Sequence, residues 1–227
     1  MKQKFEKTSV NKPWMVILSM SEDTSQFVRI LESSDGLEPL ALLLEWVEDA
    51  KAKEVSSPVG MNLATIGLTG KPRNRMVLMR YLTSGELGFY TNLGSAKSQE
   101  IIKNPAVSVT IWWPELERQV RIEGIAREQS RENVEQYFES RPRNSQIAAW
   151  SSKQSTELAS MEILANRFKK FEAEFEGMKV PLPDFWGGYV IKPTRVEYWS
   201  GKPFRMHERI VMDGIEGNSY KAFRLFP

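Results

Sequence analysis

Short segments with β-strand character follow one another from Met61 onward, and they constrain the fold more than any other feature. They are rich in apolar and β-branched residues and are separated by turn signals such as Ser84-Gly85. The predicted strands are residues 61–68, 75–82, 87–91, 107–113, 119–126, 189–191, 196–199 and 209–212. Strict alternation of strand and helix is absent, and no GxGxxG motif follows a first strand, which argues against a dinucleotide-binding α/β fold. The pattern predicts a mainly β protein with α elements (α+β), built as a β-barrel with peripheral helices.

Helical spacing of apolar residues predicts helices between these strands, at residues 40–50, 95–102, 130–140 and 156–175. The last is amphipathic, and we expect it to pack on the barrel. Gly124 interrupts a strand and predicts a β-bulge. Residues 1–37 show no sustained period and are interpreted as a poorly defined N-terminal arm, which leaves residues 38–227 as a single domain.

Charge and composition exclude several classes of function. The 31 basic and 29 acidic residues give a net charge of +2, so bulk attraction to nucleic acid or to an anionic membrane is not expected. No apolar run reaches the ~20 residues that span a bilayer, and the apolar stretch at residues 14–18 is shorter than the ~7–15 residues of a signal core. Cysteine is absent and His207 is the single histidine, so no metal site is predicted. These features predict a cytoplasmic protein.

Two segments in or near the predicted strands carry cations that could bind phosphate groups. Arg75 and Arg80 stand at the two ends of an apolar strand, although such residues alone are more typical of solvated strand ends. Residues 90–97 run from a strand into a helix start, where Lys97 adds an ammonium to the backbone N–H groups. Taken alone, the second segment is more typical of an ordinary capped helix.

Two further segments carry denser groups of cations; a basic solvent loop explains the first as well as phosphate binding does, whereas the second is harder to explain without a ligand. Residues 140–146 hold two arginines and two serines around Pro142, and Tyr137 lies one helical turn before Arg141. Near the C-terminus, Arg205, His207 and Arg209 would share one face of an extended strand, where each would need a partner if buried. With no nucleophile triad and no metal-ligand spacing, the residues indicate a binder of phosphates and of an aromatic ring, with the chemistry supplied by an organic cofactor.

The motifs of this chain resemble those of the pyridoxine 5′-phosphate oxidases and occur in the same order. The motifs are RMVLMR at 75–80, YTNLGSAK at 90–97, ERQVRIEG at 117–124, YFESRPRNSQI at 137–147, SKQS at 152–155, PDFWGG at 183–188, EYW at 197–199, RMHER at 205–209 and RLFP at 224–227. The resemblance covers the chain from about residue 38 to the end. It implies an FMN-binding split β-barrel, a homodimer with FMN between subunits, and oxidation of pyridoxine or pyridoxamine 5′-phosphate by O2 to pyridoxal 5′-phosphate and H2O2.

The resemblance also implies roles for individual residues. The cofactor-binding set is Arg75, Met76, Val77, Leu78, Met79, Arg80, Tyr90, Thr91, Lys97, Gln119, Gln154, Ser155, Trp199 and Arg209. The substrate-binding set is Arg80, Tyr137, Arg141, Ser145, Arg205 and His207, of which Arg205 and His207 lie over the pyridine ring and are the catalytic candidates. We expect the two phosphate-binding groups to be distinct, with Arg75 and Arg141 in different pockets.

Three departures from the family pattern leave alternatives open. Position 80 is usually lysine, position 96 is usually arginine but is alanine here, and residues 1–37 lack the family's Arg-Arg-x-Tyr type of segment. Loss of one charge-assisted hydrogen bond would weaken FMN binding by about ten- to a hundredfold. The alternatives are a related flavin oxidase acting on another ring, as in phenazine biosynthesis, and a non-catalytic protein that binds FMN or pyridoxal 5′-phosphate.

Overall fold

The computed structural model describes residues 22–33, 36–214 and 219–227. In these ranges, nine strands form one antiparallel sheet: β1 (Gly60–Ile66), β2 (Pro72–Leu78), β3 (Tyr81–Leu82), β4 (Leu87–Asn92), β5 (Ala106–Trp113), β6 (Arg118–Glu128), β7 (Trp186–Ser200), β8 (Glu208–Gly214) and β9 (Tyr220–Arg224). The α-helices of the same ranges are α1 (Glu22–Glu32), α2 (Ala41–Ala52), α3 (Ala96–Lys103), α4 (Arg131–Ser140), α5 (Arg143–Ser151) and α6 (Met161–Glu174).

The sheet divides at its longest strand, β7. Its main path runs β2-β1-β5-β6-β7-β4-β3. The first half of β7 pairs with β4, whereas its second half pairs with β8, which in turn pairs with β9. The sheet therefore branches at β7, with β4 and β8 paired to different halves of the same strand. It curls into a half-barrel, in line with the split barrel expected from the sequence.

Alternation of side chains explains how the strands enclose a core. In β5, Val107, Val109, Ile111 and Trp113 are buried, and the residues between them face outward. The predicted bulge is confirmed, because the pairing of β6 with β7 shifts register at Gly124. A Cβ atom at this position would lie 2.5 Å from the carbonyl oxygen of a β7 residue, so the strands can approach here only with glycine.

Helix α2 closes one end of the barrel through Trp46. The indole makes edge contacts with the rings of Trp113 and Tyr198, at centroid distances of 6.4 and 5.4 Å. The buried Tyr198 hydroxyl donates to the carbonyl of Pro39 (2.7 Å) and accepts from the N–H of Leu43 (3.2 Å). Because these hydrogen bonds connect the first turn of α2 and the chain just before it to β7, they fix the helix on the sheet.

The structure corrects several predicted elements. Residues 75–82 form the end of β2 and the short β3 instead of one strand, and β7 is one continuous strand where two were predicted. The segment at residues 140–146, in which no helix start was predicted, runs into helix α5, which begins directly after Pro142, because proline is tolerated at a helix start. Helix α6 begins at Met161 and packs on α5, not on the barrel. Strand β9 was not predicted.

Part of the presumed N-terminal arm is a helix. In α1, Phe27 is 1% exposed and belongs to the barrel core. Asp23 accepts hydrogen bonds from the guanidinium of Arg118 (2.6 Å) and from the hydroxyl of Ser200 (2.7 Å). Residues 1–21, including the apolar stretch at 14–18, lie outside the described ranges, and the boundary at residue 37 stays a prediction. No helix in those ranges is both long and apolar enough to cross a bilayer.

Candidate functional site

A cleft of about 710 Å³ lies between strands β2 and β4 and helices α4 and α5, a size typical of small-molecule sites. Most residues predicted for the flavin or for the substrate phosphate line it. These are Arg75, Met76, Val77, Leu78, Arg80, Tyr90, Thr91, Lys97, Tyr137, Arg141, Ser145 and Gln154.

One group of cations in the cleft is formed by Arg75 and Lys97. Arg75 donates to the hydroxyl of Thr65 (2.6 Å) and to the carboxylate of Glu100 (2.8 Å), which is 1% exposed. The Lys97 ammonium donates to the side-chain oxygen of Gln154 at 2.7 Å. Arg75 is thus held by a buried counterion, whereas Lys97 has neutral partners and forms no carboxylate ion pair in the ranges described.

The pKa values of this group reflect both burial and mutual charge. Burial opposes the ionisation of Glu100, but hydrogen bonds from Thr65 and Arg75, with the charges of Arg75 and Arg73, outweigh it and keep its pKa below the usual value. Burial and the charge of Arg75 lower the pKa of Lys97, and Glu100 opposes this effect. A bound phosphate would favour the charged form of Lys97 for the same electrostatic reason.

The second group of cations centres on Arg141. Its guanidinium lies over the ring of Trp186, 4.8 Å from the centroid, and 5.7 Å from that of Phe138. The Nη1 atom is buried without a hydrogen-bond partner among the described residues. Burial lowers the pKa of Arg141 and the charge of Arg80 lowers it further, against an opposing effect of Tyr137. A half-buried guanidinium that makes no hydrogen bond among the described residues is suited to bind an anion.

Three parallel aromatic rings form one wall of the cleft. Tyr90 stacks on Tyr137 at a centroid distance of 4.1 Å with 8° between the ring planes. The Trp186 ring is also parallel to that of Tyr90, with the centroids 5.5 Å apart and 2° between the planes. The three rings come from β4, α4 and β7, so the wall ties the helical layer to the sheet.

The expectation of separate pockets is wrong, because Arg75 and Arg141 line the same cleft. The two groups remain distinct in their contacts, since Arg75 is held by Glu100 and Arg141 by aromatic rings. Two ligands that react with each other must touch, so their binding groups need one continuous cavity. The separate-pocket expectation overlooked this requirement.

A second set of predicted residues lies outside the cleft, in a row across four strands. Trp112 of β5 pairs with Gln119 of β6, Gln119 with Trp199 of β7, and Trp199 with Arg209 of β8. Directly paired residues of antiparallel strands share one face of the sheet. Arg209 is held there by hydrogen bonds to Glu197, at 2.9 and 3.1 Å.

The segment before β8 departs from the predicted extended strand. Arg205 is exposed in a tight turn with a positive φ of 61°, so it does not share a strand face with His207 and Arg209. His207 lies against the Trp199 ring (4.6 Å), and its Nδ1 accepts from the N–H of Lys202 at 3.1 Å. This turn begins at Pro203. Proline is compatible with a turn, and side-chain periodicity alone does not distinguish a turn from a strand here.

Two further residues predicted to bind the cofactor, Met79 and Ser155, also do not line the cleft. Met79 is 3% exposed and packs in the barrel core, and Ser155 is exposed at a positive φ of 71°. Conversely, the structure adds residues to which the sequence assigned no role. Those lining the cleft are Asn92, Pro142, Ala148, Ala149, Ser152 and Trp186, and Glu100 lies behind Arg75. Trp186 stands in the PDFWGG motif, which was the available signal.

Family models match most of the chain. The model described as pyridoxamine 5′-phosphate oxidase matches residues 47–174, and the model described as the pyridoxine 5′-phosphate oxidase C-terminal dimerisation region matches residues 186–227. Curated relatives are similar over nearly their full length. A pyridoxine/pyridoxamine 5′-phosphate oxidase of Leptospira interrogans is 42% identical over 198 residues, covering 87% of this chain and 92% of the relative. One from Chromobacterium violaceum is 43% identical, covering 80% and 85%.

Solved structures support the same fold. PhzG from Burkholderia lata, in complex with tetrahydrophenazine-1-carboxylic acid, superposes with a TM-score of 0.80 at 26% identity, over 86% of this chain and 95% of that one. An FMN-binding protein of Nostoc punctiforme gives a TM-score of 0.68 at 15% identity, over 86% and 99%, and shows the fold alone. FMN as the cofactor agrees with the motifs, with the branched sheet and with these relatives. Together they show that the chain belongs to the pyridoxamine 5′-phosphate oxidase family.

Proposed function

We propose that the protein oxidises pyridoxine or pyridoxamine 5′-phosphate to pyridoxal 5′-phosphate, with FMN as cofactor and O2 as acceptor. The alcohol and O2 give the aldehyde and H2O2; the amine also consumes water and releases ammonia. The observation that carries the proposal is the cleft with two differently held groups of cations, one at Arg75 and Lys97 and the other at Arg141. Two phosphorylated ligands that must touch need this arrangement.

The first group suits the phosphate of FMN. Within the described ranges, Lys97 forms no ion pair with a carboxylate. Its ammonium donates instead to the side-chain oxygens of Gln154 and Thr91. Residues 76–78 of β2 would line the remainder of the flavin. When bound, FMN supplies the hydride acceptor and passes the electrons to O2. The part of the protein is to orient the substrate carbon, which contributes up to roughly 7–11 kcal/mol of the barrier in favourable cases.

The second group suits the substrate phosphate. The Arg141 guanidinium is half-buried and makes no hydrogen bond among the described residues, and it lines the cleft together with Tyr137 and Ser145. Arg80 is exposed and forms no ion pair in the part of the chain described, so it is available as a further cation. Arginine keeps the charge of the family's usual lysine at this position, with a longer and planar head group.

The row on the sheet face suggests a site completed by a second subunit. Gln119, Trp199 and Arg209 do not line the cleft of their own chain, but the family's dimerisation region includes two of them. Met76 and Trp112 are 66% and 47% exposed on the same sheet as this row, as expected for an apolar contact surface. We propose a homodimer in which FMN lies between subunits and the row, with Arg205 and His207 over the pyridine ring, faces the partner's cleft.

The structure of PhzG supports a second candidate, oxidation of another ring by the same fold. The Tyr137, Arg141 and Ser145 set favours a phosphorylated substrate instead, because a ring without phosphate leaves a half-buried guanidinium unpaired. A non-catalytic binding protein is the third candidate. A cytoplasmic location accords with a chain that lacks cysteine.

The test measures turnover by the purified protein. Bound flavin is checked first by its absorption at about 450 nm. Pyridoxine 5′-phosphate, pyridoxamine 5′-phosphate and free pyridoxine are compared, and aldehyde and peroxide are measured together. We expect turnover of the phosphorylated compounds and not of the free alcohol. Equal rates on both alcohols would exclude the phosphate-binding role of Arg141, and binding without peroxide would indicate the non-catalytic alternative.

A further inference from the structure

We propose that Trp186 is a positioning residue that holds Arg141 by the face of its guanidinium and so leaves the edge donors free for the substrate phosphate. The inference deepens the proposed function and rests on it. The indole belongs to β7, at the point where that strand pairs with Asn92 of β4.

Arginines elsewhere in the site are held by their edges. Arg75 gives its donors to Thr65 and Glu100, and Arg209 gives three of its nitrogens to Glu197 and to a backbone carbonyl. Donors engaged in this way must be released before they can bind a ligand. These arginines therefore serve structure and ligand together.

Arg141 is held differently. It forms no ion pair in the described part of the chain, its Nη1 is buried and unpartnered, and its closest ring contact is with Trp186 at 4.8 Å. An aromatic face attracts a guanidinium by its quadrupole while the planar edge stays available for phosphate oxygens. A carboxylate in place of the indole would occupy the donors and cancel the charge.

Trp186 is itself firmly positioned. Its ring is stacked in parallel with Tyr90 (5.5 Å) and Tyr137 (6.2 Å), and it meets Phe138 edge to face at 5.1 Å. Its carbonyl accepts from Arg131 at 2.9 Å. With the ring 6% exposed, the indole has little freedom to rotate, so it fixes the direction from which Arg141 approaches the cleft.

The experiment measures binding of pyridoxal 5′-phosphate and of free pyridoxal to the flavin-loaded protein, with kcat and KM for pyridoxine 5′-phosphate alongside. Trp186→Leu removes the aromatic face, and Trp186→Phe keeps a weaker one. Trp150→Phe is the matched control, since Trp150 packs in the same helical cluster but contacts Phe171 and Phe175 instead of Arg141.

We expect Trp186→Leu to weaken pyridoxal 5′-phosphate binding by about tenfold, equivalent to about 1.4 kcal/mol, and Trp186→Phe to weaken it less. Free pyridoxal binding and flavin content should not change, and KM should rise more than kcat falls. In an Arg141→Ala background, Trp186→Leu should have little further effect, because both act on one interaction. If Trp186→Leu does not fold, Trp186→Phe in the two backgrounds provides the same cycle.

Equal losses for pyridoxal 5′-phosphate and pyridoxal would overturn the inference, because the indole would then serve the ring and not the phosphate. Additive effects of the two substitutions would also overturn it. Failure of the proposed function is separable, since a protein that oxidises neither vitamer but binds pyridoxal 5′-phosphate in a Trp186-dependent way supports the positioning role. If neither pyridoxal 5′-phosphate nor inorganic phosphate binds, the positioning role is excluded as well.

Discussion

Arg75 and Glu100 form an ion pair at 2.8 Å in which the carboxylate is 1% exposed. The pair connects strand β2 to helix α3, and Arg73 approaches the other oxygen of the same carboxylate at 3.0 Å. The phosphate-binding region thus contains its own buried anion. That anion orders Arg75, and its charge also offsets part of the positive potential available to a flavin phosphate.

Glu100→Gln should destabilise the protein in a pH-dependent way. The pKa of Glu100 is held below its usual value, so the ion pair stabilises the fold above the carboxyl's unfolded-state pKa and is lost as pH falls through the folded-state pKa. We expect a loss of about 3 kcal/mol in the free energy of unfolding near neutral pH, shrinking in acid. Urea denaturation at several pH values measures this. Glu86→Gln, at an exposed pair with Arg127, is the control and should cost at most about 1 kcal/mol. A loss that stays constant across pH would contradict the prediction.

Ala96→Arg should strengthen FMN binding. Helix α3 begins at Ala96, next to Lys97, so a cation introduced there would approach the same phosphate. One added charge-assisted hydrogen bond should tighten FMN binding by about tenfold or more. Flavin fluorescence quenching on titration of the flavin-free protein gives the dissociation constant. Ala96→Gln should give little gain, and riboflavin, which lacks the phosphate, should bind the arginine variant no better than the wild type; an equal gain for riboflavin would refute the charge effect.

Arg141→Ala should raise KM for pyridoxine 5′-phosphate while the protein retains its flavin. Removal of charge-assisted hydrogen bonds predicts an increase of about ten- to a hundredfold. Steady-state kinetics together with the visible spectrum measure both quantities. Because Arg75 and Arg141 share one cleft, loss of flavin from the Arg141 variant with an unchanged KM would mean that the two phosphate-binding groups have the opposite roles.

Arg118→Met should destabilise the protein strongly. Arg118 is 5% exposed, pairs with Asp23 and Asp49, and connects helices α1 and α2 to strand β6. Its removal leaves two carboxylates without their shared cation, which should cost about 3–5 kcal/mol in unfolding free energy. Lys53→Met removes an exposed cation from the same Asp49 and should cost less than about 1 kcal/mol. Similar losses in the two variants would contradict a role for burial.

The proposed composite site predicts complementation between two defective subunits. Arg141→Ala affects the cleft, and Arg205→Ala affects the exposed turn that we assign to the partner's cleft. In a randomly mixed dimer population, half of the dimers are hybrids and each has one intact site, so up to about a quarter of wild-type sites should be recovered. Activity at low substrate concentration measures the recovery. No gain over the separate variants would exclude a shared site.

Local sequence was sufficient for most of the barrel strands, for the bulge at Gly124 and for most of the cleft residues. Inward-facing residues alternate with a period of two, a glycine at a close strand approach has no substitute, and the motifs at 75–80, 90–97 and 137–147 each place their cations within a few residues. These features depend on neighbours along the chain, and they can therefore be inferred before the fold is known.

Pairing between distant segments was needed for the rest. Whether Arg75 and Arg141 share a cavity, whether Glu100 lies behind Arg75, and which ring supports Arg141 depend on the placement of residues 25 to 66 positions apart, whose geometry no local period encodes. The row from Trp112 to Arg209 likewise follows from the register of four strands. A buried charge is tolerated only where the fold brings it a partner, so the partners of these arginines became visible only in three dimensions.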